Sequence, residues 1–166
     1  MLPSAIVARI FASGTATEQE TLASVRDLLE TQSTMTLATV DAEGRPCATP
    51  LFYLPRQDLT LCWLSSADSR HSGNLRSRPQ ASIAVYASVS RWEQIRGVQM
   101  EGEVREISEP AERRQSMVAY RRRFRLGTVL SVAIAQATLY SFRPRWLRYL
   151  GNARGFGYKA ELLLRP

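Results

Sequence analysis

The stretch from Leu59 to Leu75, LTLCWLSSADSRHSGNL, decides the fold of this chain. Its apolar first half predicts a β-strand that ends in the hydroxyls of Ser65 and Ser66, and Ser69-Arg70-His71 predicts the start of a short helix. A helix start presents free N–H groups and the positive end of the helix dipole, which favour an anion. Arginine and histidine add charge and directed donors. We therefore predict that these five residues, called the phosphate seat below, bind a phosphate group.

Two segments resemble the pyridoxamine 5′-phosphate oxidase-like flavoproteins. In that family's phosphate-binding segment an aromatic residue and Thr-Asn precede Ser-Arg-Lys, and a Leu follows four residues later. Leu64 to Leu75 is similar to it, with two serines at the Thr-Asn pair, Ser-Arg in place, and His71 where lysine is usual. Arg96 to Gly102, RGVQMEG, resembles the family's Arg-Gln-Val-Arg-x-Glu-Gly strand. The likeness extends from about Met35 to about Phe124 and is greatest to small bacterial members of the superfamily.

The resemblance implies a split β-barrel that binds FMN in a homodimer, with the cofactor at the subunit interface. It adds further cofactor-binding residues to the phosphate seat. Thr49 and Leu51 stand on the strand expected beside the seat, Arg96 and Gln99 on the strand that the partner contributes, and Trp146 is expected near the flavin. In a regular strand Gln99 faces away from Arg96, unless a bulge at a glycine changes the alternation.

Three departures from the family pattern bear on function. The oxidase carries an Arg and a Lys on the strand beside the cofactor, whereas no basic residue lies between Arg45 and Arg56. The oxidase's flavin-contacting Gln falls on Gly97, and its C-terminal Arg-x-His substrate signature is absent. Oxidation of pyridoxamine phosphate itself is therefore not expected. In the oxidase, a tyrosine and an arginine of the comparable helix hold the substrate phosphate. The resemblance therefore suggests this role for Tyr120 and for either Arg121 or Arg123.

The element order predicts a mainly β fold with peripheral helices, a small Greek-key-like barrel of short antiparallel strands. The predicted elements are a helix over Thr17–Thr31 with a Thr17/Glu20 capping box, a hairpin over Met35–Leu54 turning at Asp41–Gly44, a strand over Leu59–Leu64, a helix over Asp68–Ser77, strands over Ala81–Ser88 and Gln94–Ile107, a helix capped by Ser108 and running to Phe124, a short helix over 127–134, one or two strands over Ala137–Leu150 broken near Pro144, and an edge strand over Tyr158–Leu164. We expect residues 1–16 to form a flexible or docking segment and residues 17–166 a single domain.

Composition limits the class of protein. The 166 residues are 45% hydrophobic with a net charge of +7, and Lys159 is the only lysine among 22 basic residues. This basic excess favours an anionic partner. Cys47 and Cys62 form no CxxC pair and, with one histidine, are too few for a structural zinc site, so no metal is expected. Reduced thiols in a cytoplasmic protein are the favoured interpretation, with a disulfide between neighbouring strands as the alternative. No apolar run is long enough to span a membrane.

Three functional hypotheses follow. The first is an FMN-dependent oxidoreductase acting on a small-molecule substrate or electron donor, with His71 as a phosphate ligand whose affinity, if it binds as imidazolium, falls above neutral pH. The second is a non-catalytic member that binds haem, a deazaflavin or no cofactor, with His71 as the sole histidine ligand available to haem iron. The third uses the arginines between Arg113 and Arg125 to bind nucleic acid, and ranks last because no aromatic stacking platform accompanies them.

Overall fold

The computed structural model describes residues 7–12, 16–125, 134 and 136–165. The strands are β1 Val7–Ala12, β2 Thr34–Val40, β3 Pro46–Phe52, β4 Leu54–Pro55, β5 Leu61–Ser65, β6 Gln80–Tyr86, β7 Arg96–Glu106, β8 Thr138–Gly151 and β9 Lys159–Leu164. The helices are α1 Glu18–Thr31, α2 Arg70–Ser77 and α3 Pro110–Phe124. The predicted mainly β fold with peripheral helices is confirmed.

All nine described strands belong to one antiparallel sheet. Seven follow the order β1-β9-β8-β7-β6-β2-β3, while β5 pairs with β8 and β4 pairs with β5. The long strand β8 gives the sheet its half-barrel form because its two halves have different neighbours. Its first half, Thr138–Phe142, pairs with β5, and its second half, Trp146–Leu150, pairs with β9. Strand β5, which leads into the phosphate seat, is thereby attached to the main sheet through β8.

Helix α1 covers the inner face of the sheet. Its start is the predicted capping box: the Thr17 N–H donates to Glu20 Oε2 at 2.8 Å, and the Glu20 N–H donates to Thr17 Oγ1 at 3.2 Å. The helix buries Leu28 and Leu29 against the alternating inward residues of the strands. Each such side chain stabilises the fold by about 1.5–3 kcal/mol relative to exposure.

Several predicted boundaries were wrong. Strand β8 is continuous through Pro144, because the extra residue Arg145 is accommodated as a bulge opposite the step from Glu101 to Gly102. Strand β9 is internal, since it lies between β8 and the unpredicted strand β1, which falls in the segment expected to be flexible or docking. Helix α3 is capped by the Glu109 carboxylate, which accepts from two backbone N–H groups, and not by Ser108. The short helix predicted over 127–134 lies, except for Ile134, outside the described residues.

Candidate functional site

The phosphate seat forms where β5 ends and α2 begins. Ser69 is the N-cap of α2: its backbone is extended, at φ −66° and ψ 149°, and its Oγ accepts from the Ser72 N–H at 3.3 Å. Ser72 in turn donates through its own hydroxyl to the Ser66 carbonyl at 2.8 Å. These bonds hold the two serine-bearing segments together, so that hydroxyl groups and the first turn of α2 converge as predicted.

His71 lies inside this junction. Its Nε2 is 2.7 Å from Ser65 Oγ and 3.1 Å from Ser69 Oγ, and the residue is only 5% exposed. Burial lowers the pKa of His71 below its ordinary value, which disfavours the charged ring. A neutral imidazole brings no charge to a phosphate, and the hydrogen bonds of His71 connect the hydroxyls of Ser65 and Ser69. Any loss of phosphate affinity through deprotonation of His71 would therefore occur at a lower pH than the sequence suggested.

Arg70 carries the positive charge of the seat. Its Nη2 donates to Asp41 Oδ2 at 3.2 Å, and its side chain is 58% exposed. The backbone N–H of Arg45 and the guanidinium groups of Arg45 and Arg70 hold the pKa of Asp41 down at about 2. Asp41 thus anchors Arg70 by one nitrogen to the β2–β3 turn. The exposed remainder of the guanidinium can reach a phosphate.

Thr49 and Leu51 lie on β3, at the edge of the sheet. They pair with Leu37 and Met35 of β2 and so share the inward face of that strand. Strand β3 contacts β5 but has no ladder pairing with it. The predicted strand beside the seat is therefore a spatial neighbour of β5 and not its hydrogen-bonded partner.

Gln99 and Trp146 meet on the opposite, outer face of the sheet. They line a depression of about 430 Å³ together with Arg148, which pairs with Gln99 across β7 and β8. The Arg148 guanidinium lies 5.2 Å from the centre of a Trp146 ring and forms an ion pair with Glu161. Arg148 was not selected from the sequence, although its position two residues after Trp146 places it on the same face of a strand.

Arg96 does not join this group. It forms an ion pair with Asp27 and donates to Thr31 Oγ1 at 3.3 Å, so it fastens β7 to α1. The alternation that predicted opposite faces for Arg96 and Gln99 is confirmed, because the register shift in β7 lies at Gly102 and not at Gly97. Within the described residues, the seat and the outer depression have no lining residue in common.

A third feature was only partly foreseen. A groove of about 690 Å³ borders Ser65 and Ser66 and runs along α3. Its remaining lining residues are Ser33, Phe52, Leu64, Tyr120, Arg123, Phe124, Arg125, Ile134 and Ala137. Phe52 carried no motif that marks a binding surface, and it meets Tyr120 and Arg123 of α3, which were candidates for substrate phosphate, only through the tertiary fold.

The arginine-rich part of α3 divides into two groups. Arg121 and Arg122 are exposed, whereas Arg113 donates to the Ala137 carbonyl at 3.0 Å and Arg123 is bound to the end of α1. Tyr120, the aromatic residue that starts this run, is buried. The helix therefore presents a short basic face with no exposed tyrosine on which a base could stack.

Two features are absent from the described part of the chain. Its helices include none that is long and apolar enough to cross a membrane. The same residues contain no group of three His, Cys, Asp or Glu side chains placed to hold a metal ion. Both cysteines, Cys47 and Cys62, are free thiols.

Comparison with known proteins gives a consistent family. A family model described as pyridoxamine 5′-phosphate oxidase matches residues 22–154. The UPF0306 protein YhbP of Escherichia coli O157:H7 is 32% identical over 143 residues, which are 84% of this chain and 91% of that protein.

Two solved structures show a similar fold at low identity. The heme binding protein from Mycobacterium smegmatis superposes with a TM-score of 0.74 at 20% identity, over 89% of this chain and 60% of that one. A pyridoxamine 5′-phosphate oxidase-related, FMN binding protein from Nostoc punctiforme PCC 73102 gives a TM-score of 0.62 at 18% identity, over 89% of this chain and 88% of the other.

Proposed function

This chain belongs to the pyridoxamine 5′-phosphate oxidase family and has its split β-barrel fold, and we propose that it is an FMN-binding homodimeric oxidoreductase. The observation that carries this proposal is the junction of β5 and α2. There Ser69 caps the helix. The Ser65 Oγ lies 3.4 Å from Ser69 Oγ and 2.7 Å from His71 Nε2.

The residues of this junction fit a phosphate monoester. They supply hydroxyl donors, a helix N-terminus and one partly free guanidinium, that of Arg70. Bound FMN would supply the electron-transfer chemistry. The chain's own residues would hold the phosphate at the end of β5, and His71 would keep Ser65 and Ser69 oriented. Because the seat has a single guanidinium, we expect this chain to retain FMN more weakly than relatives that contact the phosphate with several basic residues.

The outer face of the sheet supports the homodimer. Three large hydrophobic side chains are exposed there, and strand pairing places them all on one face: Val40, Tyr86 and Leu163. The depression that holds Gln99, Trp146 and Arg148 opens on this same face. A second subunit covering the face would bury the apolar side chains together with Gln99, Trp146 and Arg148 of both subunits.

The experiment is FMN retention. Purified protein is mixed with excess FMN, passed through a gel-filtration column and examined for flavin absorbance in the protein peak. Arg70→Ala should weaken FMN binding by about tenfold or more, because it removes a charge-assisted bond to phosphate. Arg78→Ala is the matched control: it removes one positive charge at the other end of α2 and should change affinity by less than about twofold.

Two results would contradict the proposal. Wild-type protein that leaves the column without flavin would refute FMN binding in this form. Equal weakening in the two variants would mean that general positive charge, and not the seat, attracts the cofactor.

Haem is the second candidate cofactor, and the same absorbance scan tests it through the Soret band. The Mycobacterium smegmatis structure, named as a heme binding protein, supports it. The described geometry restricts how haem would be held, because His71 is buried with its Nε2 bonded to two hydroxyls. A haem-bound form would therefore need a tyrosine or cysteine ligand, or a local opening of the β5–α2 junction.

A further inference from the structure

We propose that the groove between β5 and α3 binds an uncharged aromatic compound and discriminates against phosphorylated ones. That this compound is a substrate rests on the proposed function, whereas its chemical class is inferred from the groove itself. The volume of about 690 Å³ is in the range of small-molecule sites, about 300–1,000 Å³.

Aromatic rings form one wall of the groove. The Phe52 and Phe124 ring centres are 5.1 Å apart, and those of Tyr120 and Phe124 are 4.6 Å apart, both at tilted angles. Phe52 remains 55% exposed, so one side of this cluster is open to a ligand. A flat ring would complete the cluster at a separation that favours aromatic pairing.

Arg123, the lining arginine at which a phosphate would be expected, is already engaged. Its Nη2 donates to the carbonyls of Leu29, Glu30 and Gln32 at 3.2, 3.0 and 2.8 Å, and its Nη1 contacts the Glu30 carboxylate at 3.0 Å. These acceptors lie at the C-terminal end of α1, where helix carbonyls lack partners within the helix. The Arg123 Nε is buried and has no hydrogen-bond partner. The charge of Arg123 is thus used to cap α1 and not to attract an anion.

Apart from Arg123 and Arg125, the polar side chains of the lining are uncharged: Ser33, Ser65, Ser66 and Tyr120. The Tyr120 hydroxyl is 3.5 Å from the Phe52 carbonyl, and burial raises the pKa of this phenol to about 12, so it stays neutral. The Ser65 hydroxyl is bonded to His71 in the phosphate seat. Arg125 is exposed, and water screens its charge. A phosphate dianion in the groove would lose hydration without matching donors, whereas a neutral ring would gain apolar contacts.

The groove is also placed to work with the seat. Ser65 and Ser66 belong to both, so a ligand in the groove would lie directly beside a cofactor whose phosphate occupies the seat. The two sites would then divide the chemistry: the seat takes the phosphate of the cofactor, and the groove takes an apolar ring.

The test compares 2-naphthol with 2-naphthyl phosphate, which have the same ring and differ by the phosphate. Isothermal titration is performed on the FMN-saturated full-length protein and, separately, without FMN. We expect 2-naphthol to bind and the phosphate ester to bind at least about tenfold more weakly. Phe52→Ser should weaken 2-naphthol binding by about fivefold or more, and Phe52→Tyr, which keeps the ring, should restore most of it. Phe156→Ser is the matched control: Phe156 is 86% exposed and pairs with Trp92 away from the groove, so affinity should not change.

The outcomes separate this inference from the proposed function. Retained FMN without 2-naphthol binding, or equal binding of the phosphate ester, would overturn the inference and leave the FMN proposal intact. Failure to retain FMN with 2-naphthol still bound would overturn the cofactor proposal and support the ligand class. Displacement of FMN by 2-naphthol would assign the groove to the flavin ring and overturn the inference.

Discussion

Gly102→Ala should break the register between β7 and β8. A Cβ at Gly102 would lie 2.1 Å from the Arg143 carbonyl oxygen and 2.8 Å from Pro144 Cα. Both are backbone atoms, so no side-chain rotation can relieve the overlap. The close approach exists because the bulge in β8 presses that strand against β7 where Arg145 is the extra residue.

The size of the effect follows from these distances. A carbon normally approaches a carbonyl oxygen to about 3.3–3.6 Å, so the strands must separate by roughly 1.2–1.5 Å. Overpacking costs about 1–3 kcal/mol and occasionally more. Because the displaced atoms are backbone in the longest pairing of the sheet, we expect a loss of about 3 kcal/mol in the free energy of unfolding.

Gly97→Ala is the matched control on the same strand. Its nearest neighbours, Tyr86 Cβ and the Val85 oxygen, would be 3.4 Å from the new Cβ, and neither Gly97 nor Gly102 has a positive φ. The free energy of unfolding should therefore change by less than about 0.5 kcal/mol. The assay is urea unfolding followed by tryptophan fluorescence, with midpoints compared at unchanged m-value. Equal losses at the two glycines, or a negligible loss at Gly102, would refute the reasoning.

Four further predictions concern the seat and its supports. Ser69→Ala should lower the free energy of unfolding by about 1 kcal/mol in urea titrations because α2 loses its N-cap; Ser69→Thr should not, and equal losses would contradict this. Because burial lowers the pKa of His71, its contribution to stability is complete above the unfolded pKa of about 6.5 and is lost as pH falls. His71→Gln should therefore reduce the pH dependence of the unfolding midpoint between about pH 7 and pH 5. An unchanged pH dependence would contradict this. The pKa of Asp41, about 2, makes its contribution complete above about pH 4 and lost towards pH 2, so Asp41→Asn should reduce the acid dependence of melting in that window. Tyr53→Phe should lower stability by about 1 kcal/mol in thermal unfolding, because the Tyr53 hydroxyl donates to the buried Leu29 carbonyl at 2.8 Å; an unchanged Tm would argue against that bond.

The sequence by itself determined the features that depend on neighbours along the chain. The Thr17/Glu20 capping box, the turn ending at Gly44 with φ 83°, and the inward alternation of Met35 and Leu37 are all local, because the residues involved lie within a few positions of one another. The same locality explains why Ser69 and Arg70 could be assigned to a helix start. The family motif extended this local information to the fold class.

The tertiary structure decided which side chains remain available. His71 has a lowered pKa because the folded chain buries it, and Arg96 contacts Asp27, which is 69 residues away in sequence. Arg123 caps the end of α1, 94 residues from its Leu29 partner. The bulge that keeps β8 continuous at Pro144 depends on Gly102 facing it across the ladder. Periodicity specifies the face on which a residue lies, whereas burial, ion pairing and register depend on elements that become neighbours only when the chain folds.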